Sequence, residues 1–302
     1  MVPIALVLTT IVMFALPDLQ GVDQASATLR ARTDGAELDE ATLEGLEQQL
    51  ELDRPVHQRY VSYLGRLVQG DLGESNISRR PVRPQVFQAA RTSAVLVGSA
   101  MAIAVSAAVA IGVTAAARPL GMFDRYTTAV SRVWVSIPGH VSAPILVYFF
   151  GVKLQWLPTS GWGDSSHMVL PVFALAVGPT ALFSQVVRAE TIEALEQPYI
   201  RTATAKGVRR WRVVWLHAAR MSTTGVLALG GMFTAGLFGG SVIIEVVFGI
   251  PGIGRLIHDA VKASDVPMLQ ASGLIIVSAG IIIGALSDQA SSMLSPPTTE
   301  NP

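Results

Sequence analysis

"QPYIRTATAKGVRRWRVVWLHAAR", residues 197–220, carries six basic side chains and no acidic one. It separates two apolar runs. Asp164 to Arg188 encloses 23 residues without Asp, Glu, Lys or Arg, and Arg220 to Glu245 encloses 24. The same spacing recurs elsewhere: Arg91 to Arg118 encloses 26, Arg132 to Lys153 encloses 20, and Asp265 to Asp288 encloses 22. About 20 apolar residues at 1.5 Å rise cross roughly 30 Å of hydrocarbon, and a helix satisfies its own backbone there. Half of the chain is hydrophobic and 15% is charged, against about 25% charged in an ordinary soluble domain. The expected fold is an all-α membrane protein.

A sixth apolar run, "VPIALVLTTIVMFALP" over residues 2–17, is slightly short for a span. The "ASA" at Ala25 to Ala27 resembles a signal-peptide cleavage site, but no Lys or Arg precedes the run as a secretory n-region requires. It reads as a retained helix lacking a few basic residues upstream of Met1. Six spans place both termini on one side. The loop from Arg188 to Arg220 has seven basic residues, and Arg118, Arg125 and Arg132 follow the second span. Both loops are therefore expected in the cytoplasm. Lys153, and Arg255 with Lys262 balanced by Asp259 and Asp265, mark the opposite side. Residues 18–91 hold nine Arg against twelve acids, and a segment that long crosses largely regardless of charge. Arg79, Arg80, Arg83 and Arg91 weigh the other way.

The expected organisation is a first transmembrane helix over 1–17, an extracytoplasmic segment over 18–91, a five-helix core over 92–290 containing the basic loop 189–220, and a cytoplasmic tail over 291–302. Within the outer segment, Leu38, Leu43, Leu46 and Leu50 have helix spacing. So do Val56, Tyr60, Tyr63, Leu64 and Leu67, with Gly70 as a stop. Net charge is zero, which argues against a nucleic-acid partner, and the absence of cysteine excludes disulfides and thiolate metal sites.

In the basic loop, Gly207 divides two helix-forming pieces, and glycine admits a turn that other residues resist. Tyr199, Ala203 and Lys206 precede it; Trp211, Val214, Trp215 and Ala218 follow. Composition alone favours aromatics lying at headgroup level on a basic cytoplasmic helix.

Four stretches carry a family resemblance: "YIRTATAKGV" (199–208), "LDRPVHQRYVSYLGRLVQGDLGES" (52–75), "LQWLPTSGWG" (154–163) and "VIIEVVFGIPGIGRL" (242–256). They resemble the first permease subunit of dipeptide, oligopeptide and nickel ATP-binding-cassette importers, over almost the whole chain. The resemblance implies a six-helix type I importer permease in the inner membrane. It also implies a second homologous permease, two ATPase subunits holding ATP and Mg, and an extracytoplasmic substrate-binding protein. The chain itself would be no enzyme and would bind no cofactor. The docking helix for the ATPase falls on Tyr199, Arg201, Thr202, Ala203, Lys206, Gly207 and Arg210, where Arg-Thr-Ala, three residues and Gly match the family's coupling loop. Pro198 stands where an acid is usual, Thr204 where Arg is usual, and Gly225 where proline is usual. Ser295, Pro296 and Pro297 replace the usual Asp-Pro-Arg after Asp288.

The pathway is expected near the third to fifth spans, where Pro138, Pro144 and Pro179 and a glycine-rich fifth span suggest irregular helices facing protein or water. Glu245 is the polar candidate near the outer mouth, with Pro251 and Gly252 beside it; an interfacial helix end explains Glu245 equally well. The Gly236 to Gly240 spacing suggests a helix interface. "GWGD" at 161–164 is similar to the aspartyl motif of intramembrane proteases, but no second intramembrane carboxylate accompanies it. Ser160 and His167 are paired by spacing alone. "GIPGIG" has its glycines in the wrong order for a dinucleotide loop, and no HExxH or Walker A motif occurs. An ion-coupled transporter would need buried carboxylates or inverted repeats, and neither is visible. Dipeptide, oligopeptide, glutathione and nickel systems share these motifs, so the substrate is open.

Overall fold

The computed structural model describes residues 2–19, 24–32, 40–49, 51–137 and 139–294. Among them every regular element is helical: α1 (Val2–Leu19), α2 (Gln24–Arg32), α3 (Glu40–Gln49), α4 (Val56–Val68), α5 (Val82–Ala116), α6 (Met122–Ser136), α7 (Gly139–Leu146), α8 (Ser165–Leu195), α9 (Pro198–Ala205), α10 (Arg210–Arg212), α11 (Ala219–Phe248), α12 (Ile253–Lys262) and α13 (Val266–Leu294). Wide π-helical turns continue α7 over Val147–Lys153 and join α10 to α11 over Val213–Ala218.

Four segments are long and apolar enough to span a membrane: Val82–Ala116, Ser165–Leu195, Leu229–Phe248 and Val266–Ser287. A fifth is a pair, Met122–Ser136 with Val141–Lys153, bent by 112°. The apolar helix Val2–Pro17 is shorter. Charge spacing therefore located the hydrophobic segments but misplaced two boundaries. Arg125 and Arg132, expected in a loop, lie on the amphipathic helix α6, because scattered charges mark a solvated helical face as readily as a loop. The helix of the second span starts at Val82, well before Arg91; Pro84 sits in its first turn, where a missing N–H leaves no hydrogen bond unmade. At 35 residues α5 is about 52 Å long, far more than the roughly 30 Å hydrocarbon layer requires. Pro144 and Pro179 lie inside α7 and α8 as expected. Pro138, Leu38, Leu50 and residues 295–302 fall outside the described residues.

The chain divides into two compact units. One takes Met1–Ser93 and Ile250–Ile281. Here Phe14 of α1 packs against Tyr60 and Tyr63 of α4, with ring centroids 5.2 and 5.6 Å apart, and Thr10 Oγ1 lies 3.0 Å from the Tyr60 hydroxyl. Leu46 of α3 is buried with Ala25 and Leu29 of α2. Val82, Val86 and Ala89 at the start of α5 pack on Ile253 and Ala260 of α12 and on Met268 and Ala271 of α13. The Ser93 hydroxyl accepts the first free amide of α12, Ile253 N, at 2.8 Å. Asp265 plays the same part for the loop before α5, accepting Asn76 N at 3.1 Å and the Ser75 hydroxyl.

The other unit takes Ala94–Gly249 and Ile282–Pro302. Its core joins Met101, Ala108 and Val113 of α5 to Phe183 and Val187 of α8 and Val226 of α11, with Phe183 edge-on to Phe233 at 5.0 Å. Between membrane helices such contact rests on close packing more than on water release. Gly112 permits it: a Cβ there would sit 2.6 Å from Ser184 O and 2.7 Å from Val187 Cβ. Gly236 and Gly240, expected to line a helix interface, have nothing within 4 Å of a modest side chain and are exposed on α11. The spacing motif is present, but among the described residues nothing lies within 4 Å of a Cβ built at either position.

Candidate functional site: the basic loop between α8 and α11

The loop is built outward from the end of α8. Gln197 is the extended N-cap of α9, and Pro198 occupies the first helical turn, where its fixed φ suits the helix. The departure at Pro198 is thus compatible with the helix, although it supplies no negative charge to the positive end of the helix dipole. Ile200 points inward and is buried with Ala194 of α8 and with Val213 and Ala218 of the second piece. That cluster holds α9 against the body of the unit and turns Arg201, Thr202, Thr204, Ala205 and Lys206 outward, with Ala203 half-buried. Tyr199 is also exposed.

Gly207 has φ +77°, and Val208 N returns to Ala203 O at 3.2 Å. The chain leaves α9 through a left-handed glycine, as expected from its position between two helical pieces. Arg210 then reaches back: its Nη2 donates to Ala117 O at 2.9 Å, at the end of α5. The π-helical turns set the register of the second piece. Val214 and Ala218 go inward and Trp211, Trp215 and Leu216 outward, so the four residues taken together in the sequence divide between two faces. Arg212 stacks over the Trp211 ring at 5.3 Å.

Sequence reasoning missed the ion pair beneath the loop. Asp124 of α6 is 2% exposed; its Oδ2 accepts Arg188 Nη2 at 2.8 Å and Leu120 N at 2.8 Å, and Arg188 Nε bonds Oδ1. The signal was available, because Asp124 is the sole acid between Arg91 and Asp164. Deeper in the same helix pair, the hydroxyls of Ser131 and Ser184 lie 3.2 Å apart, and Thr191 donates to Ser222 of α11 at 2.8 Å. Gly225 makes room for Glu190, whose carboxylate oxygens lie 2.5 and 2.6 Å from where a Cβ would be. That contact accounts for glycine at the position where the family usually has proline.

Glu245 is fully buried and accepts the Ser241 hydroxyl at 3.0 Å, so its carboxylate lines no open mouth in this structure. Gly252 is the buried N-cap of α12 and Pro251 beside it is exposed. The two lie on a groove of about 380 Å³ shared with Gln85, Gln88 and Arg255. Asp164 of "GWGD" caps α8: one oxygen takes Ser166 N at 3.0 Å, Ser166 Oγ at 2.6 Å and His167 Nδ1 at 2.8 Å. Hydrogen bonds from Ser166 and His167 hold this carboxyl well below the usual range. His167 faces the acid with one nitrogen, so capping explains the group without catalysis. Among the described residues no cluster of His, Asp and Glu could hold a metal.

Membrane-length helices joined by a basic helix–turn–helix, clamped to the helices on either side, define an importer permease subunit. The chain belongs to the family of binding-protein-dependent transport system inner membrane components, whose model matches residues 108–299. It is 33% identical over 262 residues to the glutathione transport system permease protein GsiC of Pectobacterium atrosepticum, covering 87% of this chain and 86% of that one. The proteins of that name from Escherichia coli and Shigella dysenteriae are 32% identical over the same length and shares. The chain is therefore a multi-pass membrane protein and an ATP-binding-cassette importer permease of the dipeptide, oligopeptide, glutathione and nickel class. Such permeases are transport components that work with ATPase and substrate-binding components.

Proposed function

We propose that this chain forms half of the translocation pathway of an ATP-driven importer of short peptides, with a second homologous permease as the other half. Two ATPase subunits, holding ATP and Mg, bind the loop 189–220, and an extracytoplasmic protein delivers the substrate. The observation that carries this reading is the construction of the loop. Ile200 fastens α9 from below while Tyr199, Arg201, Thr202 and Lys206 face outward, and Gly207 turns the chain without a side chain in the way. ATP binding closes the ATPase pair, the docked helix moves with it, and Arg210 and Arg188 pass the motion to α5 and α6. The permeases then rock between outward-open and inward-open states. The exposed Gly236, Gly239 and Gly240 on α11 suit close approach by the second permease.

The relatives named for glutathione transport favour a peptide over nickel, and glutathione, itself a tripeptide, is the alternative substrate. Liposomes holding the complete importer should accumulate labelled dialanine or glutathione only with ATP on the ATPase side. Uptake driven by an ion gradient without ATP would make the chain part of a secondary transporter instead. The basic loops favour a cytoplasmic side for both termini and the docking loop. In this cysteine-free chain, a single Thr204→Cys should react with an impermeant thiol reagent only in opened cells, and Gln58→Cys in intact ones; the reverse pattern inverts the topology.

A further inference from the structure

The unit formed by Met1–Ser93 and Ile250–Ile281 holds a cavity of about 280 Å³ that the transport reading leaves unused. That is slightly below the roughly 300–1,000 Å³ of pockets for drug-sized ligands, so its occupant is small. Arg59, Tyr63 and Arg66 line it from one face of α4, at the i, i+4, i+7 spacing that stacks side chains along a helix. Glu51, just before α4, and Asp71 and Glu74, just after it, line it too, and Gln270 of α13 and Phe14 of α1 complete the wall.

One of these groups is buried without a hydrogen-bond partner, and two exposed charged ones form no ion pair among the described residues. The Tyr63 hydroxyl is buried with no hydrogen-bond partner among the described residues, an arrangement that carries a cost unless something fills it. Burial, helped by Tyr60, pushes its pKa up, so it remains a donor. Arg66 and Glu74 make no ion pair among the described residues. Arg59 lies over the Phe14 ring at 5.8 Å, and Glu51 bonds Arg54 at 2.9 Å through one oxygen. Both charge signs thus line one small space.

We propose that this cavity binds a small zwitterion, its anionic group held by Arg59, Arg66 and the Tyr63 hydroxyl and its primary ammonium by Glu51 and Glu74. Two sources share that chemistry: a short peptide awaiting transport, and the headgroup of an ethanolamine lipid, since apolar α1 and α13 both contribute to the wall. The peptide source rests on the function proposed above; the binding chemistry does not.

The test uses Gln270→Cys in the complete importer, in nanodiscs of phosphatidylcholine, which has no primary ammonium, with alkylation of this chain followed by mass spectrometry. Dialanine should slow alkylation at least fivefold, and N-acetyl-dialanine amide, which has neither charge, should not. Replacing the lipid with phosphatidylethanolamine should slow it similarly if the headgroup is the natural occupant, and leave it unchanged if the peptide is. Arg66→Gln and Tyr63→Phe should each remove most of the protection. Absence of protection by both dialanine and phosphatidylethanolamine, or equal protection by the uncharged peptide or in both variants, overturns the proposal. The readout needs neither docked ATPase nor transport, so retention of the ATPase by the loop variants would count against the docking reading alone.

Discussion

Ala203→Asp is expected to abolish uptake while the subunit still inserts into the membrane, and to strip the ATPase from the purified complex. Ala203 is half-buried on α9, and a partner seated on the outer face of that helix covers it. A carboxylate there is desolvated without a matching cation, and an uncompensated buried charge costs several kcal/mol even after relaxation. At about 1.4 kcal/mol per tenfold, a loss of about 4 kcal/mol weakens docking by roughly a thousandfold. Gly207→Val tests the same loop through its backbone. Nothing lies within 4 Å of a Cβ at Gly207, so the substitution meets no steric clash with neighbours. Its φ of +77° is a genuine outlier for a β-branched residue, with a cost of about 1–3 kcal/mol. Asn tolerates that region, so Gly207→Asn should keep most of the activity that Gly207→Val loses. Co-purification of the ATPase and substrate-stimulated ATP hydrolysis in liposomes measure both effects. If Ala203→Asp and Gly207→Val both retain the ATPase and normal stimulation, the loop is only a basic membrane anchor.

The second large effect is expected at the ion pair beneath the loop. Asp124→Leu leaves the Arg188 guanidinium without its two-pronged partner and leaves Leu120 N without an acceptor. Breaking a buried pair by removing one member costs about 3–5 kcal/mol. The Arg188 side chain is 24% exposed, which favours the lower figure. At about 2–4 °C per kcal/mol for domains of roughly 150–250 residues, the unfolding temperature of the purified permease should fall by about 6–10 °C. The double variant Asp124→Leu with Arg188→Met should recover most of that loss, because replacing both charges with packed apolar groups is often neutral. Uptake then separates two roles. If the pair transmits motion from the loop to α6, the double variant stays stable yet imports poorly. Full uptake at restored stability limits the pair to holding α6 and α8 together.

The hydrophobic segments were readable because the bilayer imposes a length, and a run of 20 to 26 uncharged residues meets it whatever the packing. The glycine turn was readable for a similarly local reason: two helix-forming pieces with glycine between them need a left-handed residue. Less local features were misread. Arg125 and Arg132 looked like a loop because nothing local separates a loop from a solvated helix face. The Gly236 to Gly240 spacing meets no neighbour within 4 Å of an added Cβ among the described residues, while close approaches occur at Gly112 and Gly225 against α8 and at Gly231 against Ser287 of α13.

By itself, the sequence determined the class of fold, the hydrophobic segments, the glycine turn and the family. All of these depend on residues near one another in the chain or on the uniform demand of the membrane. Tertiary structure alone decided which faces those helices present. It buried Ile200 and Glu245 and turned Tyr199 outward, paired Asp124 with Arg188 across 64 positions, and gathered Arg59, Tyr63, Arg66, Glu51 and Glu74 around one cavity. The physical reason is that burial and charge pairing belong to neighbours in space, and the helices of a membrane bundle acquire those neighbours only when they pack.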